Sequence, residues 1–174
     1  PGGASGLLVS NLESFSDYQR TEAWTWEHQA LVRARAIAGD AASMQRFETI
    51  RREILCLPRT LETLRQEVCT MRYKMREHLD KSKADLFDLK QGFGGVTDIE
   101  FIIQYGMLRW AADYPNLMET TGMLPLLRMF AEYQLLPGEA CEQLSEAYRV
   151  YRAKTHKLAL QNQPALVPVA QVAE

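Results

Sequence analysis

The densest run of side chains and backbone suited to chemistry is Lys90-Gln91-Gly92-Phe93-Gly94-Gly95-Val96-Thr97-Asp98-Ile99-Glu100-Phe101. Gly92, Gly94 and Gly95 put three glycines in four positions, so this loop takes backbone angles or close approaches that other residues resist. A glycine loop that feeds a helix N-terminus can turn free amide N–H groups toward an anion, and Lys90 adds a charge able to reach a phosphate. It is not a P-loop, because no Gly-Lys-Ser/Thr closes it. Nor is it the dinucleotide fingerprint, whose third glycine would fall on Thr97. The acids have a competing use. Thr97 and Glu100 have capping-box spacing, and Asp98 in the first turn suits the helix dipole. Asp98 and Glu100 point to nearly opposite sides of a helix and make a poor catalytic pair. Two readings stand: a capping device, or a ligand- or metal-proximal site with Lys90, Gly92, Gly94, Gly95, Asp98 and Glu100 as its contacts.

The second stretch is Trp24-Thr25-Trp26-Glu27-His28-Gln29-Ala30-Leu31-Val32-Arg33-Ala34-Arg35. Read as a helix, it puts Trp24, His28, Leu31 and Arg35 on one face and Trp26, Ala30, Arg33 and Ile37 on the other. Rings and a cation on both faces predict a helix held between two bodies. Arg33 and Arg35 either bind a phosphate or carboxylate of a substrate, or pair with Glu27, Asp98 or Glu100 and lock the helix to the glycine loop. His28 reads as a packed, hydrogen-bonded histidine ahead of a catalytic base. Tyr148, Arg149, Arg152 and His156 read as a packing or solvated face.

The elements that must position these residues are helical. Thr21 is expected to cap a helix to about Ala38, stopped by Gly39. Asp40 caps the next, whose face is Met44, Phe47, Ile50, Ile54 and Leu57, and Pro58 ends it. Thr60 caps a third with the stripe Leu61, Leu64, Val68, Met71, Met75 and Leu79. A helix from about Asp98 buries Ile99, Ile102, Ile103, Gly106, Met107 and Trp110, and Pro115 terminates it. A shorter helix begins at Thr120 or Thr121. The last runs from about Glu139 to Gln161. Short connections between amphipathic helices predict an all-α antiparallel bundle. Leu7-Leu8-Val9 reads as the end of a strand whose sheet is elsewhere. The tail, with Pro164 and Pro168, reads as frayed.

Composition narrows the function classes. The chain has 174 residues, 47% hydrophobic and 24% charged, with a net charge of −2. That balance is the wrong one for a nucleic-acid module, which needs a basic face. Cys56, Cys69 and Cys141 are odd in number and far apart, which reads as free thiols in a reducing cytoplasm and gives no zinc spacing. No apolar run approaches the about 20 residues of a membrane span. Pro1 to Gly6 has neither an initiator Met nor a signal-peptide pattern and reads as the edge of a longer protein.

Several long motifs, in order, resemble the glutamine synthetase adenylyltransferases. They are Ser5-Gly6-Leu7-Leu8-Val9; Tyr18 through Leu31 with its Trp-Thr-Trp-Glu-His core; Arg33-Ala34-Arg35 with Ala38-Gly39-Asp40; Asp88-Leu89-Lys90-Gln91-Gly92 with Gly94-Gly95 and Asp98-Ile99-Glu100-Phe101; and Tyr148-Arg149 with His156-Lys157-Leu158 and Gln161. The resemblance implies large two-headed enzymes in which each nucleotidyltransferase unit is followed by a helical bundle. One unit moves AMP from ATP to a tyrosine of glutamine synthetase and the other removes it, under control of glutamine and the PII signalling protein. It implies residues 1–20 as a nucleotidyltransferase remnant, 21–162 as the bundle and 163–174 as a flexible tail. The family's metal-binding aspartates lie upstream of Leu7-Leu8-Val9. The chain is therefore expected to hold no catalytic residue and no metal ligand of its own, and to bind neither ATP nor Mg²⁺ tightly. Lys90, Gly92, Gly94, Gly95, Arg33, Arg35, Asp98 and Glu100 would line one wall of a nucleotide cleft.

Overall fold

The computed structural model describes residues 10–171. Among them are seven α-helices and a single two-stranded sheet. The chain forms two compact units. One comprises the segment up to Glu67 with Gln104–Thr121, and the other comprises Val68–Ile103 with the segment from Gly122 onward. The segment Leu7–Val9, expected as a strand end, lies outside the described residues.

In the first unit, α1 (Leu12–Thr21) starts at Asn11, whose side chain accepts from Ser14 N at 2.7 Å. Helix α2 (Thr25–Leu31) opens with Trp24 N donating to Glu27 Oε2 at 2.9 Å. Helix α3 (Ala41–Leu55) is capped by Asp40, whose Oδ1 accepts from Ser43 N at 2.9 Å, as its short polar side chain at the N-cap dictates. Phe15 of α1 stacks on Phe47 of α3 with centroids 6.0 Å apart. Leu31, Val32, Ile50, Ile54, Leu55, Leu64, Met107 and Leu117 are buried and make the core.

The helix expected to run unbroken from Thr21 to Ala38 does not form. Thr21 is the last residue of α1, and α2 stops at Leu31. The reason is Arg51, 1% exposed, whose guanidinium donates to Leu31 O at 2.8 Å and Val32 O at 3.1 Å. Those carbonyls would otherwise accept from the amides of residues 35 and 36 in a continuing helix. Gly39 still ends the segment, at φ +131°.

In the second unit, α4 (Leu61–Leu79) enters from Val68 onward and α5 (Val96–Trp110) supplies its first half, to Ile103. Helices α6 (Met123–Glu132) and α7 (Gly138–Leu160) pack as a hairpin. At the turn, Gln134 takes φ +56° and Leu135 N donates to Phe130 O at 2.8 Å, closing the end of α6. Val68, Leu89, Ile99, Ile103, Leu126, Leu127, Phe130 and Tyr148 form the buried centre. Strands β1 (Leu86–Asp88) and β2 (Leu166–Pro168) pair antiparallel with Phe87 opposite Val167.

Three placements differ from the expectations. The stretch 163–174, read as a flexible tail, contains β2, and Val167 is buried at 3% exposure. The expected boundary between residues 20 and 21 falls inside α1. Ile102, assigned to the buried face of α5, is 40% exposed.

Candidate functional site

The glycine loop is organised from below by Asp88, which is 6% exposed. Its Oδ1 accepts from Lys90 N and Gln91 N, both at 2.9 Å, and its backbone O accepts from Gly92 N at 2.9 Å. Leu89 N donates to Ala165 O at 2.9 Å, tying the loop to the segment that leads into β2. An aspartate that takes the amides two and three residues ahead is a standard way to start a tight turn.

The loop amides face inward. Gly95 N donates to Gly92 O at 3.0 Å, Val96 N to Leu89 O at 2.9 Å, Thr97 N to Lys90 O at 3.0 Å and Asp98 N to Gly95 O at 3.0 Å. The N-terminus of α5, expected to offer open amides to an anion, therefore has these donors occupied by carbonyls of its own loop. Thr97, read as the N-cap of a capping box, lies inside α5 and not at its N-cap. Glu100 accepts from Tyr148 Oη at 3.0 Å.

The glycines serve this tight winding. A Cβ at Gly92 would stand 2.6 Å from Asp88 O, and one at Gly95 would stand 2.8 Å from Leu89 O. Gly94 has open space around it but takes φ +82°, where an L side chain is strained. The close approach that these glycines permit is backbone to backbone.

Asp98 is the hub above the loop. Its Oδ2 accepts from Gly94 N at 2.6 Å. Its carboxylate also takes Arg72 Nε at 2.5 Å and Arg76 Nη2 at 2.7 and 2.8 Å. Arg72 further donates to Gln91 O at 2.8 Å and Gln91 Oε1 at 3.3 Å. The Arg76 guanidinium lies 4.7 Å from the Phe93 ring centroid and 5.7 Å from that of Tyr73. These cations sit one helical turn apart on α4 and clamp the loop onto it. Sequence reasoning missed Arg72, Arg76, Gln91 and Asp88. The spacing of Arg72 and Arg76 was visible, but nothing in the sequence paired them with Asp98.

The structure thus puts Lys90, Gly92, Gly94, Gly95, Asp98 and Glu100 on one loop and helix start. Of these, the exposed Lys90 ammonium has no hydrogen-bond or ion-pair partner among the described residues. Arg33 and Arg35 belong to the other unit, in the exposed segment between α2 and α3. Arg35, with Leu12, Ile37, Met44 and Phe47, lines a cleft of about 620 Å³. At the start of α2, the N-cap Trp24 is 70% exposed and Trp26 39%. Among the described residues no three His, Cys, Asp or Glu side chains gather as a metal ion would require. Among the described residues no helix is long and apolar enough to cross a membrane.

Comparison with known proteins adds the family. Residues 1–50 match the family described as glutamate-ammonia ligase adenylyltransferase. Residues 69–165 match the family described as GlnD PII-uridylyltransferase. The chain is 51% identical, over 98% of its length, to a Nitrosococcus oceani protein named bifunctional glutamine synthetase adenylyltransferase/adenylyl-removing enzyme. It spans 18% of that relative's length. The chain belongs to the glutamine synthetase adenylyltransferase family, and its residues 69–165 belong to the domain family described as GlnD PII-uridylyltransferase.

Proposed function

We propose that the chain is the helical part of an enzyme that transfers AMP from ATP to a tyrosine of glutamine synthetase, in the cytoplasm. The observation that carries this reading is the identity of 51% along 98% of the chain to a relative so named. In this reading an antiparallel bundle follows a nucleotidyltransferase sheet. The metal-binding carboxylates stand on that sheet, so ATP and Mg²⁺ act in the whole enzyme, and the chain alone is inactive. Phosphoryl and nucleotidyl transfer need carboxylates to hold the metal against the phosphates.

The chain's own contribution is positioning. The Asp98 clamp fixes the loop, and the loop sets the base of Lys90. A free ammonium on a rigid base is suited to a phosphate oxygen or to a carboxylate. Arg33 and Arg35, in the exposed segment between α2 and α3, carry charge of the same sign. Gly92, Gly94 and Gly95 act through the loop's shape, and Glu100 through Tyr148.

A second reading is a regulatory module that contacts PII or glutamine synthetase, with glutamine as effector of the parent. It is supported by the match of residues 69–165 to a family whose description names PII. The two readings separate in one experiment. Radiolabelled AMP transfer to glutamine synthetase is measured with the chain alone and with the whole parent, beside a pull-down with PII and glutamine synthetase. The first reading predicts transfer by the parent and none by the chain. Transfer by the chain alone contradicts its inactivity, and no transfer by the parent contradicts the family reading. Capture of either partner by the inactive chain supports the module.

A further inference from the structure

His28 is 8% exposed, and both of its ring nitrogens have partners. Nδ1 lies 3.1 Å from Arg59 Nη2. A guanidinium can only donate, so Nδ1 is the acceptor. Nε2, 2.8 Å from Gln19 O, is then the N–H donor. The hydrogen-bond pattern assigns one neutral tautomer. Arg59 also donates to the carbonyls of Ile54, Leu55 and Leu57, at 2.9, 3.1 and 2.9 Å. One imidazole therefore joins the end of α1, the body of α2 and the turn that closes α3, all within the first unit.

We infer that His28 is a protonation-sensitive latch: when Nδ1 takes a proton, Arg59 loses its acceptor and faces a second cation, and α2 loosens from the end of α3. The charged groups acting on the ring are Arg59 from the turn after α3, Glu27 from α2 itself and Glu67 from α4. The two carboxylates are committed elsewhere. Glu27 accepts from Tyr18 Oη at 2.8 Å and from Trp24 N at 2.9 Å, and Glu67 accepts from Thr25 Oγ1. Tyr18 and Gln19 are what α1 presents, and neither supplies a charge at neutral pH. Burial is the largest influence and holds the imidazole below the ordinary histidine range. The Gln19 carbonyl opposes it, and Arg59 adds to it.

The sign follows from which state binds more protons. With the folded value depressed, the unfolded chain takes up the proton first as pH falls. The latch's contribution is fully present above about pH 6.5, the unfolded value, and is lost as pH falls from there toward the folded value.

The test is a titration of the His28 ring in the whole chain by NMR, with amide exchange of α2 followed at about pH 7.5 and about pH 5. His28 is expected to show the Nε2–H tautomer and to titrate below the usual histidine midpoint. Protection of the α2 amides, corrected for intrinsic exchange, is expected to drop at the lower pH. Arg59→Gln keeps a donor and removes the charge, so it should raise the midpoint and shrink that drop. A wild-type midpoint at or above about 6.5, or α2 protection unchanged between the two conditions, overturns the inference, and neither observation depends on the variant folding.

Discussion

Arg72 Nε and Asp98 Oδ1 meet at 2.5 Å, with their side chains only 7% and 17% exposed. Arg76 shares the same carboxylate at 2.7 Å. Two guanidiniums and one carboxylate, largely withdrawn from water, make this the most consequential electrostatic contact in the second unit. Removing one partner from such a cluster leaves charge without compensation, which costs far more than an exposed pair is worth.

Asp98→Asn should therefore destabilise the chain by about 3 kcal/mol, within the about 3–5 kcal/mol typical of a broken buried pair. Urea unfolding measures it. Combining Asp98→Asn with Arg72→Met should cost less than the sum of the two singles, because the second change removes the charge that the first left unpaired. Strict additivity would mean that the residues do not act together.

The glycines separate into two kinds. At Gly92 and Gly95 an added Cβ would meet backbone carbonyls at 2.6 and 2.8 Å, and backbone cannot swing aside. At Gly94 space is open and only the positive φ resists. Gly94→Ala should cost about 1–2 kcal/mol, the usual penalty of an L residue in that region. Gly92→Ala and Gly95→Ala should cost more and should shift the loop amide resonances. Equal, small losses at the three positions would contradict the winding described above.

Arg51 offers a parallel case in the first unit. It is buried at 1% exposure and caps the end of α2 through Leu31 O and Val32 O while reaching Met118 O at 3.4 Å. Arg51→Met should lower stability by about 2–4 kcal/mol, through carbonyls left without donors. Arg51→Lys should recover little, since an ammonium cannot reproduce the planar fork. Thermal unfolding of the two variants side by side checks both statements.

Much of this architecture was legible in the sequence where the signal was local. Asp40 is a cap because its side chain reaches the amide of Ser43 three residues on. Leu64 and Val68 are buried because helical spacing puts them on one side. The far end of α2 was not legible, because Arg51, twenty positions away, takes the carbonyls that decide it. The β1–β2 pair was invisible for a similar reason. Two three-residue strands separated by most of a unit carry no periodicity of their own. In the site, the glycines announced a tight loop, but glycine content alone does not say whether the backbone approaches a ligand or another strand of backbone. Asp88, three positions ahead of Gln91, held that answer.

We propose that the loop serves the reaction through the side chains it carries, Lys90 foremost, on a base held by Asp98. The most direct measurement is AMP transfer to glutamine synthetase by the whole parent enzyme carrying Lys90→Ala, and separately Arg35→Ala, normalised to folded protein and paired with a melting curve. The account predicts transfer reduced by about tenfold or more for the loss of a charged contact, on the order of 1.4 kcal/mol, with the melting temperature nearly unchanged. Full activity per folded molecule with a lowered melting temperature would contradict it and leave these cations as parts of the scaffold alone.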